Sequence, residues 1–207
     1  GGVAGAAKNG AVFSGIISSV DISGNAPAKH VGGVVGSSGW LSGLLKIEKC
    51  IYSGNINVPN ASDCIGGILG YAQNNVQIND CGSTGNVTAK SGGYAGGILG
   101  YVNSSSFRWL TNCYAAGKSS GAAIIGAVRQ PSLRIELNFA PAGTTAYGGE
   151  YGSTYRALYT DDWFSGHVTY QLNQASCDGT QAWYQDIGKS YPSFSGGTVY
   201  LVGNHGD

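Results

Sequence analysis

Short apolar runs alternate with glycine-rich and polar segments along most of the chain, and one run returns at nearly constant spacing. The segment GGILGY at residues 66–71 recurs almost unchanged at 96–101, and looser copies occur at 1–5, 32–36 and 122–126. The first four copies therefore begin at positions 1, 32, 66 and 96. A step of roughly 30 residues is typical of solenoids and other repeat arrays.

Within each unit, about three short aliphatic runs are separated by Gly, Ser and Asn. Leu45 and Ile47, for example, share one face by the period-two alternation of a strand. One unit cannot bury its apolar face alone, but stacked units pair each strand with its equivalent in the next turn. The pattern predicts an all-β protein, a parallel β-solenoid of about five rungs. We expect it to be right-handed because crossover connections almost always are.

The predicted solenoid covers residues 1–143, with rungs at 1–29, 30–63, 64–93, 94–120 and 121–143. Repeated glycines are expected at corners, where the backbone needs positive φ or close approach. Asn55 and Asn86 follow such glycines, so their side chains should form a hydrogen-bonded ladder. Because the first unit begins inside the repeat pattern, we expect further repeats or a partner chain to stack on the N-terminal rung.

One position, four residues before a glycine, holds an apolar residue in every unit: Val20, Cys50, Cys81, Cys113 and Phe139. We interpret it as a buried column with one member per rung. No CxxC or histidine spacing indicates a metal site. Cys64 and Cys177 stand outside this column, and the sequence leaves a disulfide between them open.

Residues 144–207 lack the repeat and are rich in aromatic side chains. A solenoid needs a cover on its last rung, because an exposed strand edge invites pairing with other chains. The tail is therefore predicted to be a C-terminal cap with Trp163 and Trp183 in its core. Its last element is a predicted strand at residues 198–202.

The cap should contain one short helix at residues 166–173. Val168 and Leu172 fall on one face at a spacing of four residues, as in an amphipathic helix. Ser165 precedes this segment and is the predicted N-cap, since serine oxygen readily accepts a hydrogen bond from a free helical N–H group.

Charge is scarce and balanced, with 11 basic and 11 acidic residues among 207. A surface that follows nucleic-acid phosphates needs clustered Lys and Arg, whereas the basic residues here are scattered. No apolar run approaches the ~20 residues of a membrane-spanning helix. Nucleic acid and a membrane span in this chain are therefore excluded from the predicted functions.

The acidic residues offer no clear catalytic arrangement. A glycoside hydrolase needs two carboxyl groups roughly 5–10 Å apart. Glu48 and Asp80 lie near the cysteine position on neighbouring rungs, but they are offset by one residue. We favour a solvated polar edge, and expect no catalytic residue, no cofactor and no metal.

Aromatic residues are better candidates for ligand binding. Tyr71 and Tyr101 share a repeat position and should stack one rung, about 4.8 Å, apart. Facing outward, they would form a platform for a sugar ring; the alternative is an aromatic ladder that only stabilises the solenoid. Trp40 and Trp109 lie in the variable middle segments, where repeat proteins often bind ligands.

The repeats resemble the G-L-U-G motif family. Its Gly-Gly-Ile-x-Gly opening is matched at residues 66–70 and 96–100, and its Asn-Cys-Tyr segment at residues 112–114 with Gly117. The resemblance covers residues 1–143 and implies large exported bacterial surface proteins such as adhesins. The His-Glu-x-x-His motif of the metallopeptidases that carry such repeats is absent.

The resemblance and the repeat pattern together predict a non-enzymatic structural or adhesion module at the bacterial cell surface, binding host-protein or glycan surfaces. One alternative is an accessory surface glycan-binding protein that uses Tyr71, Tyr101, Trp40 or Trp109. A second is a carbohydrate-active β-helix enzyme, which would require an acid pair facing a groove.

Overall fold

The computed structural model describes residues 1–8, 10–25, 28–39, 43–60, 63–73, 75–103, 109–129, 133–175 and 182–195. The strands are β1 (Ala4–Ala6), β2 (Val12–Ser14), β3 (Ile17–Ser18), β4 (Ile22–Ser23), β5 (His30–Gly32), β6 (Val35–Ser37), β7 (Leu45–Glu48), β8 (Ile51–Tyr52), β9 (Ile56–Asn57), β10 (Cys64–Gly66), β11 (Leu69–Ala72), β12 (Val76–Asn79), β13 (Gly82–Ser83), β14 (Val87–Thr88), β15 (Tyr94–Gly96), β16 (Leu99–Val102), β17 (Trp109–Thr111), β18 (Tyr114–Ala115), β19 (Ile125–Val128), β20 (Arg134–Glu136), β21 (Phe139–Pro141) and β22 (Leu158–Thr160). A 3₁₀ helix spans Gly152–Thr154, and one α-helix, α1, spans His167–Gln174.

These strands pair in parallel to form five sheets that follow one another around a coil. In chain order around the coil they are sheet 1 (β5, β10, β15), sheet 2 (β1, β6, β11, β16, β19), sheet 3 (β2, β7, β12, β17, β20), sheet 4 (β3, β8, β13, β18, β21, β22) and sheet 5 (β4, β9, β14). The protein is therefore a parallel β-solenoid, as predicted. Among the described residues, no helix is long and apolar enough to cross a membrane.

The turns become shorter toward the C-terminus. Sheet 2 pairs Ala4 with Val35, Val35 with Leu69, Leu69 with Leu99, Leu99 with Ile125 and Ile125 with Tyr147. The turn from Val35 to Leu69 is the longest, and each later turn is shorter than the one before it. Only the turns that begin at β5, β10 and β15 include a strand of sheet 1. The solenoid thus has about three complete turns flanked by partial ones, rather than the five predicted.

Aliphatic side chains stack inside the coil in straight columns. The main-chain N–H of Val34 donates to Ile68 and that of Ile68 to Ile98, and all three side chains are 0 % exposed. Leu45 and Ile47 also point inward and are fully buried, which confirms the predicted alternation. Equivalent residues of successive turns therefore lie directly above one another, as the repeat pattern predicted.

The cysteine column exists, but two of its predicted members are wrong. Cys81 and Cys113 are adjacent and fully buried, and the Cys81 main-chain N–H contacts Cys113 Sγ at 3.4 Å. The strand register places Ile16 and Asn138, rather than Val20 and Phe139, at the ends. Main-chain pairing, and not the distance to the next glycine, decides membership of the column.

The two wrong assignments have simple causes. Val20 lies beside Gly54 of the next turn, where an ideal Cβ on Gly54 would come within 2.3 Å of the Val20 carbonyl oxygen. Phe139 pairs with Tyr114, one residue beyond Cys113. Asn138 ends the column by accepting a hydrogen bond from the Cys113 main-chain N–H at Oδ1, 3.0 Å away.

The glycines of the repeated motif are required by close approach rather than by positive φ. An ideal Cβ on Gly67 would lie 2.1 Å from the carbonyl oxygen of Gly97 in the next turn. Apart from glycines such as Gly15, Gly39 and Gly92, the positive φ angles of the coil occur at the residue before a column position: Lys49, Asp80, Asn112 and Leu137. Of the two roles predicted for the repeated glycines, Gly67 therefore serves close approach and not positive φ.

The predicted ladder of stacked asparagine side chains takes a different form, in which each side chain bonds to the main chain of the following turn. Asn55 Oδ1 accepts from the main-chain N–H of Asn86 at 3.1 Å, and Asn86 Oδ1 accepts from that of Lys118 at 3.0 Å. Each amide thus satisfies a main-chain donor of the following turn at a corner where the strands are interrupted.

The tail covers the solenoid in two separate places. Parallel pairing continues past residue 143, and Tyr147 and Tyr155 pack against the end of the interior core. Helix α1 and Trp183 pack instead on the outer face of sheet 4, around Ile51 and Tyr114. One part of the tail therefore closes the end of the coil, while the other supports its side.

Helix α1 forms almost where predicted, with its N-cap at Gly166 and not at Ser165. Gly166 adopts φ of 90°, a left-handed conformation that glycine accepts without strain. Ser165 Oγ instead accepts from the His167 main-chain N–H at 3.3 Å. Val168 and Leu172 are buried together, as the apolar spacing predicted. The predicted strand at residues 198–202 lies outside the described residues.

Candidate functional site

Four aromatic rings form a continuous stack on the outside of the coil, which we call the aromatic stack: His30, Tyr71, Tyr101 and Tyr94. Neighbouring ring centroids along this order are 4.3, 5.7 and 4.7 Å apart, and the planes differ by 6°, 8° and 22°. All four side chains are half-buried. The stack is therefore an extended outer feature that crosses three turns.

Two sheets contribute to this stack from opposite sides of the Gly-Gly corner. In sheet 1, His30, Cys64 and Tyr94 occupy the same register position of successive strands. In sheet 2, Tyr71 and Tyr101 are direct partners. Cys64 is small and buried, so it contributes no ring and the tyrosines of sheet 2 complete the stack.

The stack exposes ring edges and hydroxyl groups rather than ring faces. Tyr71 has a nearly parallel neighbour on each side, in His30 and Tyr101, and Tyr101 likewise lies between Tyr71 and Tyr94. The predicted contact between Tyr71 and Tyr101 is therefore present, but the two faces that would hold a sugar ring are occupied. Any ligand must instead meet the tyrosine hydroxyls.

Polar groups extend the row of hydroxyls at both ends. The exposed Arg129 donates from Nη2 to the Tyr94 hydroxyl at 3.1 Å, and its guanidinium carbon lies 6.0 Å from the Tyr101 ring centroid. Asn103 Nδ2 donates to the Tyr71 hydroxyl at 3.4 Å. The surface thus presents phenol, amide and guanidinium groups, all able to bond to hydroxyl-rich ligands.

Burial favours the uncharged forms of two members of the stack, Tyr101 and His30. It raises the pKa of Tyr101, and it lowers the pKa of His30, against an opposing effect of Asp63. Near pH 7 the imidazole is therefore neutral, with one nitrogen donating and the other accepting. Arg129 then supplies the positive charge of the surface.

Trp109, another predicted binding residue, does not join this surface. Trp109 belongs to β17 in sheet 3, where its register partners are Gln77 and Arg134. It is half-buried on that separate outer face. Trp40 lies outside the described residues, as does Cys177, so the sequence leaves a disulfide between Cys177 and Cys64 open.

Glu48 and Asp80, the two carboxyl groups considered in the sequence analysis, do not form a pair. Glu48 pairs with Asn79, and Asp80 is buried and accepts a hydrogen bond from the Asn112 amide. The one-residue offset in the sequence therefore places the two carboxylates in different environments. Within the described ranges, no three His, Cys, Asp or Glu side chains converge as a metal site would require.

The sequence interpretation missed His30, Tyr94 and Arg129. His30, Cys64 and Tyr94 each stand two residues before a Gly-Gly pair, so aligning the repeats beyond the glycines reveals the second aromatic column. Arg129 follows Val128, the partner of Val102, and thus shares a position with Asn103. What no alignment shows is that the two columns interleave into one stack.

The fold defines a class, the parallel β-solenoids, with an outer aromatic stack as its most distinctive surface. Comparison with models of known families, with curated proteins and with solved structures finds no match.

Proposed function

We propose that the protein is a non-enzymatic structural or adhesion module of the bacterial cell surface, and that its aromatic stack binds glycans. The observation that carries this proposal is the row of tyrosine hydroxyls between Asn103 and Arg129 on a regular β-wall. The resemblance of the repeats to those of exported surface proteins supports the location.

The stack suits a polar polymer better than a small apolar ligand. Its rings are already stacked on one another, so a new ligand gains little from ring faces, whereas Tyr71 and Tyr101 come from successive turns and their ring centroids are 5.7 Å apart. The parallel ladders hold the groups in place before binding, which reduces the ordering cost of association. A glycan lying along the axis would meet several of them at once.

The test is glycan binding by the double variant Tyr71→Phe with Tyr101→Phe. This change removes both hydroxyls and keeps both rings, so the aromatic stack is preserved. On a glycan array and in titrations with the best glycan, we expect at least about tenfold weaker binding, since about 1.4 kcal/mol is tenfold in affinity. The matched control is Tyr159→Phe, at an exposed tyrosine of β22.

Unchanged glycan affinity in the double variant, with unchanged unfolding, would contradict the proposal and leave the stack as a stabilising ladder. Binding that falls only with Tyr71→Ala and Tyr101→Ala, together with lower stability, would likewise indicate a structural role. Arg129→Gln adds an independent reading, because it removes the charge without touching a ring.

The proposed module would also accept a further coil at its N-terminal rung. Val3 is 50 % exposed, although Val34 and Ile68 in the same interior column are 0 % exposed. Strands β1 and β2 are edge strands, which favour pairing with another chain. Further repeats or a partner chain stacked there would continue the same interior column.

A further inference from the structure

A pocket of about 470 Å³ lies near the C-terminal end of the coil, and none of the four residues of the aromatic stack lines it. Its walls include Lys118 and Ser119 from the turn that contains β15 to β18, which we call the fourth turn. Pro141 from β21 and Asp161 and Trp163 after β22 complete them. The volume falls within the roughly 300–1,000 Å³ range of small-ligand sites.

The pocket exists because sheet 5 ends before its neighbours do. The fourth turn continues sheet 5 only by a bridge between Val87 and Ser119. The fifth turn, which is the shortest, passes from β21 to Tyr147 without adding a strand there. Sheets 2, 3 and 4 do extend into the fifth turn. The pocket therefore occupies the place of the next strand of sheet 5.

The main chain of Ser119 faces this place. In its bridge, Val87 donates to the Lys118 carbonyl at 2.8 Å and accepts from the Ser120 N–H at 2.9 Å. Main-chain groups of consecutive residues in a strand point alternately to opposite sides. The N–H and C=O of Ser119 therefore point away from Val87, toward the pocket, as a short sheet edge.

Charge and apolar surface complete the pocket. Lys118 and Asp161, both exposed, place opposite charges on its lining. Asp161 is held in position because its Oδ1 accepts the Ala142 N–H at 3.1 Å. Trp163, buried against Tyr114, and Pro141 supply an apolar wall.

We propose that this pocket binds a short extended peptide with free termini, of about two or three residues. The peptide main chain pairs with the N–H and C=O of Ser119, as strands do when they extend a sheet edge. Its ammonium group meets Asp161, its carboxylate meets Lys118, and an apolar side chain packs on Trp163.

The experiment is calorimetric titration of the full chain with the tripeptide Ala-Val-Ala and with its N-acetylated, C-amidated form. We expect the free peptide to bind at least about tenfold more tightly than the blocked one, because only the free form offers both charges. Asp161→Asn keeps an oxygen acceptor for the Ala142 N–H and removes the charge, and should weaken binding of the free peptide about tenfold.

Ser119→Pro tests the main-chain pairing, since it removes one N–H that the bridge to Val87 does not use. It should weaken both peptides, whereas Asp186→Asn and the double variant of Tyr71 and Tyr101 should leave peptide binding unchanged. Equal affinity for free and blocked peptide, full affinity in Asp161→Asn, or no binding heat at millimolar peptide would overturn the proposal. None of these results would affect the glycan test, which uses other residues.

Discussion

The first and last turns of the described solenoid differ in how far their core residues are covered. At the N-terminal end, the core residue Val3 is 50 % exposed, and the strands of the first turn have one open edge. At the C-terminal end, Tyr147 lies against the last interior residues and is 5 % exposed. One end therefore leaves its core column open, and the other covers it with aromatic side chains.

This difference shows that a residue's position within the repeat does not by itself determine how deeply the residue is buried. Val3 and Ala146 occupy the two ends of one interior column, yet their exposures are 50 % and 2 %. Each inner turn is covered by a neighbouring turn on both sides, so an aliphatic residue at this position is buried in each of them. The last turn needs its own covering segment, which is why the repeat is lost after residue 143.

The largest effect is expected for Gly70→Ala, compared with Gly5→Ala in the same column. An ideal Cβ on Gly70 would lie 2.5 Å from the carbonyl oxygen of Gly36, whereas one on Gly5 meets nothing within 4 Å. Because backbone atoms cannot yield as a side chain can, we expect Gly70→Ala to lower the free energy of unfolding by about 3 kcal/mol or more. Urea unfolding followed by circular dichroism measures it.

Gly5→Ala serves as the matched control and should change stability by no more than about 1 kcal/mol, in either direction. A large loss in Gly5→Ala would mean that the first turn is covered in solution. The comparison of an open and a closed end would then be wrong.

A second, somewhat smaller effect is expected at the closed end. Tyr147→Ala removes a buried ring that packs against Tyr155 and whose hydroxyl accepts from Asn138 Nδ2 at 3.3 Å. We expect a loss of about 3 kcal/mol in the free energy of unfolding. Tyr159→Ala, at an exposed ring of 52 %, should stay within about 0.5 kcal/mol. Equal effects of the two variants would show that Tyr147 does not close the coil.

The smallest effect concerns Tyr52, which connects the second turn to the open end. Its hydroxyl donates to the Val20 carbonyl oxygen at 2.7 Å, and Tyr52→Phe should cost about 1 kcal/mol. Burial raises the pKa of Tyr52 to about 12, above its ordinary value of 10. Its contribution is thus fully present below pH 10 and is lost as pH rises through about 12.

Urea unfolding between pH 8 and pH 11.5 measures this contribution. The stability of the wild type should fall more steeply with rising pH than that of Tyr52→Phe, because only the wild type must keep this phenol protonated when folded. Parallel curves would show that Tyr52 titrates normally, and that its bond to the first turn contributes little.

Repetition made the fold predictable, because the spacing of the glycine motif and the inward alternation of Leu45 and Ile47 depend on local residues. The ends were less predictable. Val20 and Phe139 were misassigned because the turns change length, and register between turns of unequal length is decided by main-chain pairing across a whole turn of the coil. The start of α1 was also missed by one residue, because the chain enters the helix through the left-handed conformation of Gly166 and not through a serine cap.

For the candidate site, the sequence predicted the pairing of Tyr71 with Tyr101 but not its surroundings. The pairing follows from one repeat position, whereas the stack requires rings from two sheets to interleave across a corner. Neither the angle of that corner nor the exposure of ring edges is encoded in spacing. The same holds for the pocket, which arises from a strand that the fifth turn does not form.

The shortening of successive turns also gives the array a direction of growth. A duplicated repeat placed among the longer turns, between Ala4 and Leu99, finds neighbours of nearly its own circumference. A duplicate inserted after Ile125 would meet the shortest turn, which ends at Tyr147, and could not align its corners with it. We therefore expect duplicated repeats to be accommodated among the longer turns more readily than beside the shortest one.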